Sequence, residues 1–141
     1  MNILYFLTSK ADVAYLYNDY TLRQALEKME VHRYSSIPVI DREGRYVGTI
    51  TEGDLLWYIK NDHSLNIRAA EHQLISDIHR HMDNKPIRID TNMEDLLTTS
   101  MNQNFVPVID DRDMFIGIVT RRSIMRYIVG VEDSPGIAAG I

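Results

Sequence analysis

Among the 141 residues there is no cysteine, which excludes disulfides, zinc–thiolate sites and thiol nucleophiles. A basic excess is also missing: 15 Lys and Arg stand against 20 Asp and Glu, for a net charge of −5 and a pI near 5.4. Neutralising a phosphate backbone needs surplus cations, so no nucleic-acid partner is expected. No apolar run is long enough to span a bilayer, and the run at 3–7 is too short, and lacks the basic flank, for a signal peptide. The expectation is a cytoplasmic chain with no membrane partner. Neither a Gly-x4-Gly-Lys loop nor a Gly-x-Ser-x-Gly elbow occurs, and Ser35-Ser36 stand in neither context. With no room for a separate catalytic domain, no enzyme is expected. His79 and His81 are two positions apart, which on a helix points them in different directions, and no carboxylate set with ligand spacing surrounds them. No metal is expected either.

What is present is a chain that writes itself twice. Gly48-Thr49-Ile50-Thr51-Glu52-Gly53-Asp54 returns as Gly117-Ile118-Val119-Thr120-Arg121-Arg122-Ser123. Pro38 and Pro107, Asp41 and Asp110, Gly48 and Gly117, and Thr51 and Thr120 each lie 69 apart. A glycine, two strand formers and Thr-x-x-Asp read as a strand turning abruptly into a helix, with Thr51 as N-cap and Asp54 in the capping-box position. The same geometry suits a phosphorylated, ribose-bearing ligand, because a helix start offers N–H groups beside a hydroxyl and a carboxylate. Repetition in one register strengthens that second reading.

The rest of the chain fits the doubling. Val13-Ala14-Tyr15-Leu16 alternates like a short strand, and Leu22, Ala25, Leu26 and Met29 mark one buried helix face behind the N-cap Thr21. Ile37-Pro38-Val39-Ile40 and Tyr46-Val47-Gly48-Thr49-Ile50 form a hairpin. Pro38 has no N–H to give, so it should start its strand or lie on an open side of it. A helix carrying Trp57 and Tyr58 follows, and the first repeat reads strand, helix, strand, strand, helix. Residues 67–82, alternating charged and apolar, predict a helix leading into the second repeat. There Ile87-Arg88-Ile89 is the opening strand, Met93, Leu96, Leu97 and Met101 the helix face, and residues 105–129 the second hairpin and closing helix. Aligning Leu16 with Ile89 makes this half two residues shorter at each of two points. The boundaries expected are a first domain at 1–60, a linker or helix at 61–78, a second domain at 79–130 and a flexible tail at 131–141. Each repeat is too small to bury its surface alone, so the two are expected to pack sheet to sheet.

Thr21-Leu22-x-x-Ala25-Leu26-x-x-Met29, Ser36-Ile37-Pro38-Val39-Ile40-Asp41 and Gly48-Thr49-Ile50-Thr51-x-x-Asp54-Leu55, with their second copies, resemble a tandem pair of CBS (cystathionine β-synthase) domains, a Bateman module, over roughly residues 8 to 129. The resemblance implies an α+β fold of two βαββα repeats related by a pseudo-twofold axis. It also implies a regulatory sensor that needs no cofactor and binds AMP, ADP or ATP in clefts between the repeats, commonly as a homodimer acting on a separate regulated protein. One site would combine Ile50, Thr51 and Asp54 with Ile87, Arg88, Phe105 and Val106. Asp54 would hold the ribose, Thr51 a phosphate or sugar oxygen, and the apolar side chains the adenine. The other would combine Val119, Thr120, Arg121 and Arg122 with Val13, Ala14, Ser35, Ser36 and Ile37. Ser123 replaces the family's ribose-binding aspartate there, while Thr120-Arg121-Arg122 is similar to CBS pairs that bind cyclic di-AMP, the two guanidinium groups gripping phosphate. A third reading is a structural dimerisation module without ligand, its interface formed by the helices around Trp57 and Tyr127.

Overall fold

The computed structural model describes residues 2–81 and 83–130; the tail expected at 131–141 lies outside them. In chain order the strands are β1 (Thr8–Ser9), β2 (Leu16–Tyr17), β3 (Ser36–Ile40), β4 (Tyr46–Thr51), β5 (Ile87–Arg88), β6 (Phe105–Ile109) and β7 (Phe115–Thr120). The helices are α1 (Leu22–His32), α2 (Glu52–His63), α3 (Ile67–Ala70), α4 (Met93–Ser100) and α5 (Arg121–Ile128). The chain divides into two compact units. Ala14–Glu43 with Val47–Asp83 carries the first repeat and the sheet β2-β3-β4. Met1–Val13, Gly44–Tyr46 and Asn84–Ile141 carry the second repeat and the sheet β1-β7-β6-β5.

The repeat register survives folding. β3, β4 and α2 begin at 36, 46 and 52, and β6, β7 and α5 at 105, 115 and 121, so every start shifts by 69. For β2 and α1 against β5 and α4, starting at 16 and 22 and at 87 and 93, the shift is 71. Leu16 therefore corresponds to Ile87 and not to Ile89, and a single two-residue shortening, between helix and following strand, replaces the two expected. The pairing fixes this: Leu16 stands opposite Val39 in one sheet and Ile87 opposite Val108 in the other.

The first strand starts later than the alternation at 13–16 suggests. Pairing with β3 covers only Leu16 and Tyr17. Pro38 and Pro107 each fall one residue before the pairing with the short strands β2 and β5 begins, which leaves the open side that a residue without an N–H requires. α1 opens on a full capping box between Thr21 and Gln24 and buries Leu22, Ala25 and Met29. In the second-repeat unit Ile3, Phe6, Ile87, Leu96, Val106, Val108, Val119 and Ile124 form the core.

The helix expected over 67–82 is not formed. Among the described residues there, only α3 and a 3-10 turn at Ile75–Asp77 are helical. The backbone of this stretch bonds to another segment instead. The carbonyls of Glu71 and Gln73 accept the N–H groups of Arg23 (3.1 Å) and Leu22 (2.8 Å), and the Ile75 N–H donates to Tyr20 (2.9 Å). These bonds satisfy donors at the start of α1 that have no partner inside the helix.

Candidate functional site

In the first-repeat unit, β4 turns into α2 at Thr51. The Thr51 hydroxyl accepts the Asp54 N–H at 3.1 Å and Asp54 Oδ2 accepts the Thr51 N–H at 2.9 Å, which closes the capping box. The first N–H of the helix, on Glu52, goes to the Ser35 carbonyl at 2.9 Å. The remaining oxygen of Asp54, Oδ1, accepts the backbone N–H of His81 at 3.0 Å and lies 2.7 Å from His81 Nδ1. Asp54 is 2% exposed. Burial opposes its ionisation. The Thr51 N–H, the His81 ring, the His81 N–H and the Thr51 hydroxyl outweigh that, so its pKa lies below the usual carboxylate value.

His81 belongs to a strap laid along β4, the outer strand of its sheet. Asp83 Oδ1 accepts the Thr49 N–H at 3.0 Å and is bonded by Arg80 Nε at 2.7 Å. Gly48 faces both side chains so closely that a Cβ would collide with them. In the second-repeat unit the equivalent strand β7 is covered by β1, with Thr8 opposite Ile118 and Ser9 opposite Gly117. Ile118 and Gly117 are the counterparts of Thr49 and Gly48, so strap and arm protect the same stretch of edge in the two repeats.

The second corner is built alike with different side chains. Thr120 caps α5 by accepting the Ser123 N–H at 3.0 Å, and its hydroxyl lies 2.8 Å from Ser123 Oγ. The Arg121 N–H goes to the Asn104 carbonyl at 2.9 Å, matching Glu52 and Ser35. The Arg121 guanidinium turns away from the helix start: Nε donates to the Ser100 carbonyl at 2.8 Å and Nη2 to Met101 at 3.3 Å, at the end of α4. Arg122 is exposed.

Ile50, Thr51 and Asp54 belong to the first-repeat unit, as do Ala14, Ser35, Ser36 and Ile37; Ile50, Ala14, Ser36 and Ile37 are buried. Val119, Thr120, Arg121 and Arg122 belong to the second-repeat unit, as do Val13, Ile87, Arg88, Phe105 and Val106. Phe105 stands opposite Thr120 and Val106 opposite Val119. Arg88 is tied to the second hairpin turn, donating to the Asp110 carbonyl and to Asp113, both at 3.0 Å.

The sequence marked His81 only as half of a possible metal pair with His79, set aside because a helix would point the two apart; its link to Asp54 went unseen, since no local spacing joins it to a carboxylate 27 positions away. A cavity of about 220 Å³ opens beside the Asp54–His81 pair, lined by Trp57, Tyr58, Asn61, Asp62, Asp77 and His79. Among the described residues no group of three His, Asp or Glu could hold a metal ion, and no helix is long and apolar enough to cross a membrane.

The profile of the CBS domain family matches residues 7–61 and 71–130. An uncharacterised 17.7 kDa protein of Acidianus ambivalens is 31% identical over 117 residues, which cover 79% of this chain and 65% of that protein, so the chain spans just under two thirds of its relative's length. Among solved structures, CbpB of Listeria monocytogenes in complex with cyclic di-AMP is 26% identical with a TM-score of 0.81, over 91% of this chain and 95% of that one. CBSX2 in complex with AMP is 24% identical with a TM-score of 0.71, over 92% and 96%, a likeness of fold.

Proposed function

The chain belongs to the CBS domain family, and we propose that it is a regulatory module whose conformation responds to a bound adenine nucleotide. The observation that carries this is the pair of strand-to-helix corners at Thr51 and Thr120, identically placed in the two repeats. Support comes from the likeness to CbpB, a protein that holds cyclic di-AMP. The residues proposed to contact the nucleotide are Ile50, Thr51, Asp54, Ile87, Arg88, Phe105 and Val106, with Val13, Ala14, Ser35, Ser36, Ile37, Val119, Thr120, Arg121 and Arg122. A ligand shifts a conformational equilibrium only by its difference in affinity for the two states, so regulation requires that one state fit the nucleotide better. A regulated partner protein and a homodimeric assembly belong to the same proposal, the half-exposed Trp57 and Tyr127 being the aromatic side chains on offer.

Calorimetric titration with AMP, ATP and cyclic di-AMP tests the reading. Saturable binding of any of them supports it, and silence with all three overturns it in favour of a structural module without ligand. A hydrogen bond to a carboxylate contributes about 1.5–3 kcal/mol, so Asp54→Ala weakens a ribose ligand held at that corner by roughly one to two orders of magnitude.

Cyclic di-AMP is the second reading, favoured by the basic pair that opens α5. In this version Arg122, exposed at the start of α5, contacts the phosphate beside Arg121, whose guanidinium donates to the carbonyls of Ser100 and Met101. Binding of cyclic di-AMP alone, lost on Arg122→Ala, supports this version, and AMP binding unaffected by that substitution counts against it.

A further inference from the structure

We propose that His81 is a built-in stand-in for the vicinal hydroxyls of the nucleotide, holding Asp54 until a ribose displaces it. The inference rests on the reading of the protein as a nucleotide-binding module and adds the regulation of that site. One oxygen of Asp54, Oδ1, receives both contacts from His81, the backbone N–H at 3.0 Å and the ring Nδ1 at 2.7 Å. Nδ1 must carry the ring proton to bond an ionised carboxylate. Two donor hydrogens on one carboxylate are what the 2′- and 3′-hydroxyls of a ribose would supply, so His81 and a ribose compete for the same acceptor. The second oxygen, Oδ2, is engaged by the Thr51 N–H and stays in the capping box in either state.

The contact is built to be exchanged. Asp54 has a side chain only 1% exposed, whereas that of His81 is 59% exposed, so the ring is held by one edge. The cavity beside the pair, about 220 Å³ and lined by Tyr58, Asp62, Asp77 and His79, leaves the ring a place to turn into. Among its described residues the strap has neither helix nor strand. It is anchored by buried Ile78 and Asn84, with His79, His81 and Asp83 exposed between them. It also carries one of the four passages of the chain from one unit to the other, since Asp83 ends a stretch of one and Asn84 begins a stretch of the other. Displacing His81 therefore loosens a segment that runs on into the second-repeat unit, which turns occupancy of Asp54 into a structural signal.

A carboxylate occupied by its own histidine in about nine molecules of ten presents an apparent affinity about tenfold below its intrinsic one. Calorimetry on the full chain with AMP and 2′,3′-dideoxy-AMP tests this in the wild type, His81→Ala, His81→Asn and Asp54→Ala. The expected result is AMP binding about tenfold tighter in His81→Ala. His81→Asn, whose amide N–H can take the place of Nδ1–H, stays near the wild type. Dideoxy-AMP shows no gain in either variant. Equal AMP affinity in wild type and His81→Ala overturns the inference and leaves the nucleotide reading standing. So does AMP binding unchanged in Asp54→Ala, or an equal gain for dideoxy-AMP. Absence of AMP binding in all four proteins overturns both.

Discussion

The guanidinium of Arg121, the first residue of α5, closes the end of α4 by donating to Ser100 O at 2.8 Å and Met101 O at 3.3 Å. The last carbonyls of a helix have no partner within it, and a cation there also meets the negative end of the helix dipole. Arg121→Ala should cost about 1–2 kcal/mol in urea unfolding. Arg121→Lys, which cannot fork to two carbonyls, should recover only part of it.

Two glycines should respond in opposite senses. Gly117 has φ +155°, and a Cβ on it would press on the Thr8 carbonyl and lie 3.1 Å from Ser9 Cα. Gly117→Ala should destabilise by about 2 kcal/mol and expose the Thr8 and Ser9 amides to hydrogen exchange. Gly53, in the first turn of α2, has no atom closer than 3.6 Å to a new Cβ. Gly53→Ala should raise stability by about 0.5 kcal/mol, read from the same denaturation curves.

Acid should act partly through Asp54. Its folded pKa is lowered, so the unfolded chain takes up this proton first as pH falls. The stabilisation is complete above the ordinary carboxylate value of about 4 and is lost as pH drops through the lower folded value. The difference in melting temperature between wild type and Asp54→Asn should therefore narrow on going from about pH 7 to about pH 3. A gap that stays constant over that range would show that the carboxylate charge contributes nothing.

Asp83 should protect one amide in particular. Its Oδ1 receives the Thr49 N–H at 3.0 Å on the outer edge of β4. Asp83→Ala should speed exchange at Thr49 and cost about 1 kcal/mol, while the capping box at Thr51, which does not involve Asp83, keeps its protection.

Much of the fold was legible because its signals are local. The Thr21 cap and the Thr51–Asp54 box act within three positions, and the hairpin strands and closing helices keep the 69-residue register that Pro38 and Pro107 announce. The stretch 67–82 misled because its alternation also suits a segment whose carbonyls serve the start of α1. The corners were recognisable as corners, but their wiring was not. His81 reaches Asp54 across 27 positions and Arg121 reaches Ser100 across 21, contacts set by where the chain returns and not by spacing. The place of Arg121 at a helix start, in a Thr-Arg-Arg run like that of cyclic di-AMP-binding pairs, marked it as a phosphate ligand, and only the fold shows its bonds to the end of α4.

The arm at Met1–Val13 is covalently part of the first repeat and structurally part of the second-repeat unit. Severing the gene between codons 83 and 84 therefore does not separate two self-sufficient halves. The leading fragment would carry thirteen residues stripped of their host, and the trailing one would present β7 with its backbone bare along Gly117 and Ile118. Such an edge is a template for a second strand. Co-expressed, the fragments should find each other through that arm, which makes the chain a natural candidate for a split reporter.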